Sequence, residues 1–203
     1  RADLDSAEAI GRRAGERAVR RVNPGSVKSG GLPVIFDPRI GSSLIGHLMG
    51  AIGGSMIARK TSFLLDALGE ALFDSALSII DDPLRQRGLG SRAFDGEGLP
   101  TARKAIIDKG VLTGWMMESA AARQLGLKPT GHASRGGSGA PGTSPSNLHL
   151  EGGTLSVEQL ISDINYGVYV HELSGQGVNI VTGDYSRGAS GFTSTVGLKV
   201  AAM

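Results

Sequence analysis

The chain has no cysteine, and this absence excludes several kinds of chemistry at once. Without thiols there is no disulfide framework, no thiol nucleophile and no cysteine-ligated metal. The absence also fits a reducing compartment, so we expect a cytoplasmic protein. The sequence begins at Arg1 and shows no signal-peptide pattern. We therefore expect it to be one domain of a longer protein.

Aromatic residues are also scarce, whereas glycine is abundant. Only nine of the 203 residues are Phe, Trp or Tyr, and 32 are glycine. Such a chain packs backbone close to backbone and makes many turns with positive φ, which favours a fold with tight corners over a helical bundle. The 21 basic and 19 acidic residues leave a net charge of only +2, which indicates no strongly charged partner such as nucleic acid.

Formal charge is missing altogether from residues 40–58. A run of this length fits a membrane span, a buried helix or a helix that carries metal ligands. Its apolar residues recur at a helical period. Five glycines and three serines make it a poor lone membrane span, so we expect a buried Gly-rich helix and no membrane association. The apolar set is Leu44, Leu48, Ile52 and Met56, and a glycine ridge that lets another backbone approach is Gly46, Gly50 and Gly54.

The remaining segments alternate between helical and strand patterns. Residues 5–22 predict a helix capped by Asp5 or Ser6, and we interpret its arginines as a solvated face with i,i+4 pairs such as Glu8–Arg12. "LPVIFDP", "LSII" and "GVYVHEL" predict strands, and two apolar runs around "DKG" predict a hairpin. "ESAAARQLG" and "SVEQLISDI" predict short helices, and residues 130–147 a Gly/Ser/Pro-rich loop. We predict a single compact α+β domain with mixed and antiparallel sheets.

No catalytic constellation stands out from the spacing of polar residues. The only His-Glu dipeptide, His171-Glu172, lies in a predicted strand, where successive side chains point to opposite faces. His132 and His149 flank the glycine-rich loop, but no local pattern requires them to meet. Asp95 and Glu97 are a plausible acid pair, although an acidic turn contains the same residues. The motifs of serine nucleophiles and phosphate loops are absent.

Three long segments nevertheless resemble the C-terminal domain of the PmbA/TldD family, known also as modulators of DNA gyrase or TldD/TldE proteases. The resemblance extends from about Leu32 to Phe192. The segments are "IIDDPLRQRGLGSRAFDGEGLPT", "LTGWMMESAAARQLGLKPTGHASRG" and "NYGVYVHELSGQGVNIVTGDYSRGASGF". The resemblance implies three regions: an N-terminal helix in residues 1–25, the family domain in residues 26–192, and an unassigned tail in residues 193–203.

The resemblance also implies what the uncharged helix has lost. In the TldD branch, His-Glu-x-x-x-His on a helix and a later cysteine form a zinc site for peptide hydrolysis. The shared "TSF…LGE" segment, which begins at Thr61, places that motif on "IGHLMG". Its two histidines and glutamate fall on Ile45, Gly50 and Gly46, and the cysteine falls near Ala189. His47 is out of register. The chain therefore resembles the PmbA/TldE branch, which lacks zinc.

A PmbA/TldE-like chain is expected to be the partner subunit of a two-component metallopeptidase. It would not cleave peptides alone and would hold no cofactor, with zinc only in a TldD-like partner. The resemblance implies binding of that partner, or of an unfolded or short peptide, and allows self-association. One alternative is a zinc peptidase with displaced ligands, such as His47, His132 or His171. Another is a DNA gyrase or nucleic-acid-associated modulator.

Glycine-rich turns that carry acids and arginines suit the capture of peptide backbones and termini. Residues 81–98 and the corner near Asp184 combine these residue types. Structural ion pairs at tight corners explain the same residues equally well. The candidate substrate- or partner-binding residues are Asp81, Asp82, Arg87, Asp95, Glu97, Asp184 and Arg187.

Overall fold

Five helices and nine strands occur in the described part of the chain, residues 4–19, 21–22, 26–179 and 181–196 of a computed structural model. The helices are α1 (Ala7–Val19), α2 (Pro38–Ala51), α3 (Gly54–Ala58), α4 (Ser119–Leu125) and α5 (Val157–Ser162). The strands are β1 (Val34–Phe36), β2 (Ile79–Asp81), β3 (Lys104–Asp108), β4 (Val111–Leu112), β5 (Ala133–Ser134), β6 (Gly142–Thr143), β7 (Leu148–Leu150), β8 (Tyr166–Val178) and β9 (Tyr185–Val196). Three sheets have the orders β1-β8-β9, β4-β3-β2-β7 and β5-β6. The predicted α+β class is confirmed.

The described residues group into two compact units. The first unit draws on residues 1–37, 157–173 and 189–203, and the second on residues 38–156 and 174–188. The predicted boundaries at residues 25 and 192 stay predictions. Strand β9 continues to Val196 and so includes the start of the tail that the sequence leaves unassigned, whereas residues 197–203 lie outside the described residues.

In the first unit, α1 begins after Ser6, as the sequence predicts. Ser6 Oγ accepts a hydrogen bond from Ala9 N at 3.1 Å, which satisfies one of the free N–H groups of the first turn. The predicted pair forms, with Arg12 Nη2 3.0 Å from Glu8 Oε1. The helix ends at Val19, before the predicted end at residue 22.

Strand β1 in the same unit pairs with β8 in parallel. Val34 lies opposite Val168 and Phe36 opposite Val170. The "LPVIFDP" strand is therefore present, but Val34 is exposed and the other two residues are only half-buried. The strand ends before Pro38, which begins α2. Proline suits a first helical position because its missing N–H would have no partner there.

In the second unit, the four-stranded sheet is antiparallel throughout. The predicted hairpin is confirmed, because β3 and β4 are joined by Lys109 and Gly110, both with positive φ (46° and 83°). A Cβ on Gly110 would lie 2.2 Å from Phe73 O, so this position requires glycine. The sheet packs against the end of α2 to form the main core, while α3 packs against α4. The buried members of the main core are Met49, Ala51, Ile52, Leu64, Ile79, Ile106, Ile107, Leu112 and Met116.

The uncharged run forms two helices rather than one. Helix α2 ends at Ala51, and α3 begins at Gly54. The chain between them pairs with the segment before α4, where Met116 N donates to Ile52 O at 3.0 Å and Gly54 N donates to Met116 O at 2.7 Å. No helix within the described ranges is long and apolar enough to cross a membrane.

The predicted glycine ridge is wrong for two of its three members. A Cβ on Gly46 or Gly50 would meet nothing within 4 Å, and both residues are exposed. Only Gly54 makes a close approach, since a Cβ there would lie 2.8 Å from Met117 Sδ and 3.0 Å from Ala121 Cβ. The spacing fails because the helix breaks after Ala51, so that Gly54 belongs to a different element.

The glycine-rich segment 130–147 contains a small two-stranded sheet. Ala133 of β5 pairs with Thr143 of β6, and Ser134 pairs with Gly142. Helix α4 agrees closely with the sequence prediction: Glu118 caps it, accepting a hydrogen bond from Ala121 N at 3.1 Å. Gly126 closes it in the left-handed conformation with φ of 68°.

Candidate functional site

A cavity of about 340 Å³ lies beside the glycine face of α2 in the second unit. Helix α2, α3, the strand-like segment before α4 and the end of the β5–β6 hairpin all contribute to it. None of the described residues that line the cavity carries a formal charge. They are Gly46, Met49, Gly50, Gly53, Ser55, Met56, Met116, Thr143, Ser144 and Pro145.

Helix α2 contributes two glycines and one methionine to this cavity, namely Gly46, Gly50 and Met49. Gly46 and Gly50 present only backbone, and Ile45 packs against the main core. In the register that the resemblance implies, these three residues take the positions of the TldD helix ligands and base, and this register stays a prediction. Zinc needs nitrogen, oxygen or sulfur donors. The side chains at these positions supply none, so the residues present do not fit a zinc ion.

The histidines of the second unit are also dispersed. The ring of His47 lies 5.3 Å from that of Tyr185, and His149 Nδ1 lies 3.2 Å from Asn147 O. His132 is buried and pairs with Asp81. No group of three or more histidine, aspartate or glutamate side chains suited to a metal ion occurs within the described part of the chain.

His171 and Glu172 lie in β8 of the first unit, and the strand prediction is confirmed. The ring of His171 packs edge-on against Tyr169 at a centroid distance of 4.6 Å. Glu172 instead forms an ion pair with Arg21. The two neighbours thus have different partners, as the alternation of a strand requires.

Segment 143–147 contributes residues 143–145 to one wall of the cavity, and it is hydrogen-bonded to the side chains of Arg92 and Asp81 and to the backbone of His132. Arg92 Nη2 donates to Ser144 O at 2.8 Å. Ser144 N donates to His132 O at 2.9 Å. Asp81 Oδ1 accepts hydrogen bonds from both Ser146 N (2.8 Å) and Ser146 Oγ (2.9 Å). The lining of the cavity is therefore uncharged, whereas the residues that bind its wall are not part of the lining. We call these residues, Arg92, Asp81 and His132, the frame.

Asp81 and His132 form a buried pair at the centre of this frame. They are 1% and 3% exposed, and His132 Nε2 lies 3.3 Å from Asp81 Oδ2. Burial raises the pKa of Asp81, but hydrogen bonds from His132 and Ser146 outweigh it, so the pKa lies below its ordinary 3.8. His132 Nδ1 lies 2.7 Å from Thr130 Oγ1. That hydroxyl accepts from Met117 N at 2.8 Å, so this Asp-His-Thr arrangement anchors backbone rather than presenting a nucleophile.

Lys104 extends the frame on its far side. Its Nζ donates to Thr130 O at 2.7 Å. Burial lowers the pKa of Lys104, and the nearby charge of Asp81 acts in the opposite direction. The ammonium group of Lys104 thus has a structural role, because it holds the backbone of Thr130 close to the buried pair.

Asp95 and Glu97 each accept hydrogen bonds from structural partners of their own. Asp95 is 4% exposed and accepts hydrogen bonds from the backbone N–H groups of Glu97 (2.9 Å), Leu99 (3.0 Å) and Ala133 (3.1 Å). Burial raises the pKa of Asp95, but these hydrogen bonds and the charge of Arg92 outweigh it and hold the pKa below its ordinary value. Glu97 Oε2 accepts from Ser119 N and Oγ at the start of α4.

The other candidate residues lie apart from the cavity lining. Asp82 Oδ1 accepts from Leu84 N at 3.2 Å within its own turn. Arg87 is exposed and has a left-handed φ of 58°. Asp184 is exposed and accepts from Thr182 Oγ1 at 2.7 Å. Arg187 and Ala189 belong to β9, and their side chains lie outside what the structure describes. A binding role for these residues stays a prediction.

Sequence reasoning misses the cavity wall and the role of Arg92. Arg92 and Ser144 are 52 residues apart, and Asp81 and Ser146 are 65 apart. No local pattern signals such contacts. The one signal in the sequence is the alternation of acids, arginines and glycines in residues 81–98, which by itself indicates a surface for partners.

Comparison with known proteins places the chain among peptidase-related sequences. The family model for the PmbA/TldA metallopeptidase C-terminal domain matches residues 29–200, which takes both units as one domain. The metalloprotease PmbA of Escherichia coli O157:H7 is 43% identical over 190 residues, covering 94% of this chain and 40% of that protein. A metalloprotease TldD homolog of Buchnera aphidicola is 28% identical over 159 residues, covering 77% of this chain and 33% of that protein.

Solved structures give the same result. TldE of Thermococcus kodakarensis superposes with a TM-score of 0.84 at 26% identity, covering 92% of this chain and 43% of that one. A proposed modulator of a DNA gyrase from Thermotoga maritima superposes with a TM-score of 0.83 at 33% identity, covering 93% of this chain and 43% of that one. The chain thus spans about two fifths of the length of these relatives.

Proposed function

The chain belongs to the PmbA/TldD metallopeptidase family, and from that premise we propose that it serves as the zinc-free, PmbA/TldE-type subunit of a two-component cytoplasmic peptidase. The proposed partner is a TldD-like subunit that holds the zinc. In this assignment the chain contributes binding of partner or peptide and does not itself cleave the peptide bond.

One observation supports the proposal: the side chains at the helix positions that the resemblance assigns to the zinc ligands and the base offer no metal donor, and two of these positions, Gly46 and Gly50, line a cavity. Ile45 packs into the core, and Gly46 and Gly50 present bare backbone. Losing a single ligand would weaken a metal site, whereas losing the helix ligands together with the general base removes both metal binding and water activation. The space beside the helix has a volume of about 340 Å³.

The lining of the cavity supports binding of an uncharged segment. Burying a charged side chain against uncharged walls would be costly, because no partner charge offsets its loss of water. Methionine side chains adapt their shape to different apolar groups, and Met49, Met56 and Met116 lie in the lining. The hydroxyls of Ser55 and Thr143 offer hydrogen bonds to a peptide backbone. A short or unfolded peptide and a loop of the partner subunit share this chemistry.

The test begins with the zinc content of the full-length protein, purified without added metal. We expect far less than one zinc per chain, and no hydrolysis of an unfolded casein-type substrate. Addition of the TldD-like subunit from the same organism is expected to produce hydrolysis that a chelator abolishes. The mixture should also exceed the activity of the TldD-like subunit alone.

The alternative of a free-standing peptidase makes opposite predictions. One tightly held zinc per chain, together with hydrolysis by the chain alone, would overturn the proposal. Single substitutions of His47, His132 and His171 would then identify the displaced ligands. Hydrolysis by the TldD-like subunit that is indifferent to this chain would equally contradict the two-component assignment.

A further inference from the structure

Segment 143–147, the wall of the cavity, is held by residues that do not themselves line the cavity. We propose that Arg92, Asp81 and His132 are positioning residues that fix this wall and so set the width of the binding cavity. The inference rests on the proposed function, because it concerns the same cavity. It also gives Asp81, which the sequence predicts to bind substrate or partner, a supporting role inside the protein.

The backbone of Arg92 is held by hydrogen bonds at both its N–H and its C=O group, so its side chain starts from a fixed position. Its backbone N donates to Pro83 O at 2.9 Å, and its backbone O accepts from Thr101 Oγ1 at 2.6 Å. Its guanidinium then reaches Ser144 O at 2.8 Å. A hydrogen bond from a charged donor is stronger than one between neutral groups. The arginine therefore ties one fixed loop to the lining of the cavity.

The buried pair holds the wall at two further points. Asp81 Oδ1 receives both donors of Ser146, and Asp81 Oδ2 faces His132. The backbone of His132 in turn accepts Ser144 N at 2.9 Å. Removing the Asp81 carboxylate would take both Ser146 contacts from the wall and leave buried His132 without its partner.

The opposite side of the cavity explains why the wall position matters. A Cβ on Gly53 would lie only 3.2 Å from Thr143 Oγ1, so the two sides of the cavity approach closely there. Three of its lining residues belong to the wall: Thr143, Ser144 and Pro145. A small shift of segment 143–147 thus changes the space available to a bound peptide. The residues of the frame influence that space although none of them lines the cavity.

The experiment compares Arg92→Met, which keeps length but removes the donor, with Arg92→Lys, which retains a charged donor. Arg103→Met is the matched control, because Arg103 forms an exposed ion pair with Glu151. Each variant is made in the full-length protein and combined with the TldD-like subunit. The readouts are KM and kcat for peptide hydrolysis, the melting temperature, and hydrogen–deuterium exchange across residues 143–147.

For Arg92→Met we expect KM to rise about tenfold with kcat nearly unchanged, and exchange at residues 143–147 to accelerate. Arg92→Lys should recover part of the affinity, and Arg103→Met should match the wild type. A lower melting temperature with unchanged KM would show a purely structural role and overturn the inference. Unchanged exchange at the wall would also overturn it. If the wild-type mixture cleaves no peptide, the proposed function fails, and the exchange experiment alone decides the role of Arg92.

Discussion

At the residue scale, glycine has two contrasting environments in the second unit. Gly54 lies where two helices meet, and a Cβ at this position would have Met117, Ala121 and Glu118 within 3.0 Å. Gly41, in α2, has nothing within 4 Å of the corresponding point. The first glycine is required by packing, whereas the second only weakens its helix, because glycine is a poor helix former.

Substituting these two glycines with alanine is therefore expected to have opposite effects. Gly54→Ala forces a methyl group into contact with Met117 and Ala121, and should lower the free energy of unfolding by about 1–3 kcal/mol. Gly41→Ala should leave it unchanged or raise it by up to about 1 kcal/mol. Urea denaturation of both variants measures the difference. Equal stability of the two variants would mean that the contact at Gly54 relaxes freely.

Asp95 gives a second prediction at this scale. Its carboxylate accepts three backbone N–H groups, and an asparagine presents an NH2 group to at least one of them. Asp95→Asn should therefore lower the free energy of unfolding at neutral pH by about 1–3 kcal/mol. Asp82→Asn is the control, because asparagine can form the same local turn to Leu84 N.

The stability contributed by Asp95 should also depend on pH. Its pKa is lower in the folded protein than the ordinary value of 3.8, so the folded state binds this proton more weakly than the unfolded state does. The stabilisation is fully present above the ordinary value and is lost as pH falls through the folded pKa. Between pH 6 and pH 3, the wild type should lose stability more steeply than Asp95→Asn. Parallel pH profiles would contradict this account.

At the element scale, helix α2 shows which secondary-structure elements local sequence patterns can predict. The apolar period predicts α2 correctly, and "DKG" predicts the β3–β4 hairpin, because both signals are local. The break after Ala51 is set by pairing with Met116, some sixty residues further along the chain. The β5–β6 pair is missed for another reason: each strand has only two residues, too few for an alternating pattern to show within a Gly/Ser/Pro-rich segment.

The glycine face of α2 provides a prediction about binding. Gly46→Leu projects a side chain into the cavity, whereas Gly41→Leu places the same side chain on the same helix away from the lining. In the mixture with the TldD-like subunit, Gly46→Leu should raise KM at least about tenfold, and Gly41→Leu should leave KM near the wild-type value. Matching melting temperatures would establish that both variants fold. Equal KM values would mean that the cavity does not bind substrate.

At the scale of the whole molecule, the sequence predicts the family and the fold class, but not the frame behind the cavity. The resemblance rests on long segments, and the family model confirms it. It also implies a motif register over Ile45, Gly46 and Gly50, which stays a prediction, and the structure shows that Gly46 and Gly50 line a cavity. Asp81 and Arg92 are predictable only as charged residues near turns, because their partners lie more than 50 residues away.

The overall charge distribution gives a final prediction, which concerns DNA binding and so tests the alternative role as a gyrase-associated modulator. The chain has a net charge of only +2, and two arginines of the N-terminal helix have acidic partners, Arg12 with Glu8 and Arg13 with Asp5. DNA binding through this helix would require those arginines to contact phosphates instead. We expect duplex DNA affinity of the full-length protein to be unaffected by replacing Arg12, Arg13 and Arg17 with glutamine. Salt titrations of wild type and variant measure this, since each lost phosphate contact reduces the slope of log K against log salt by about 0.9. A slope that falls by about three units in the variant would assign α1 to DNA binding and favour the nucleic-acid role over the peptidase subunit.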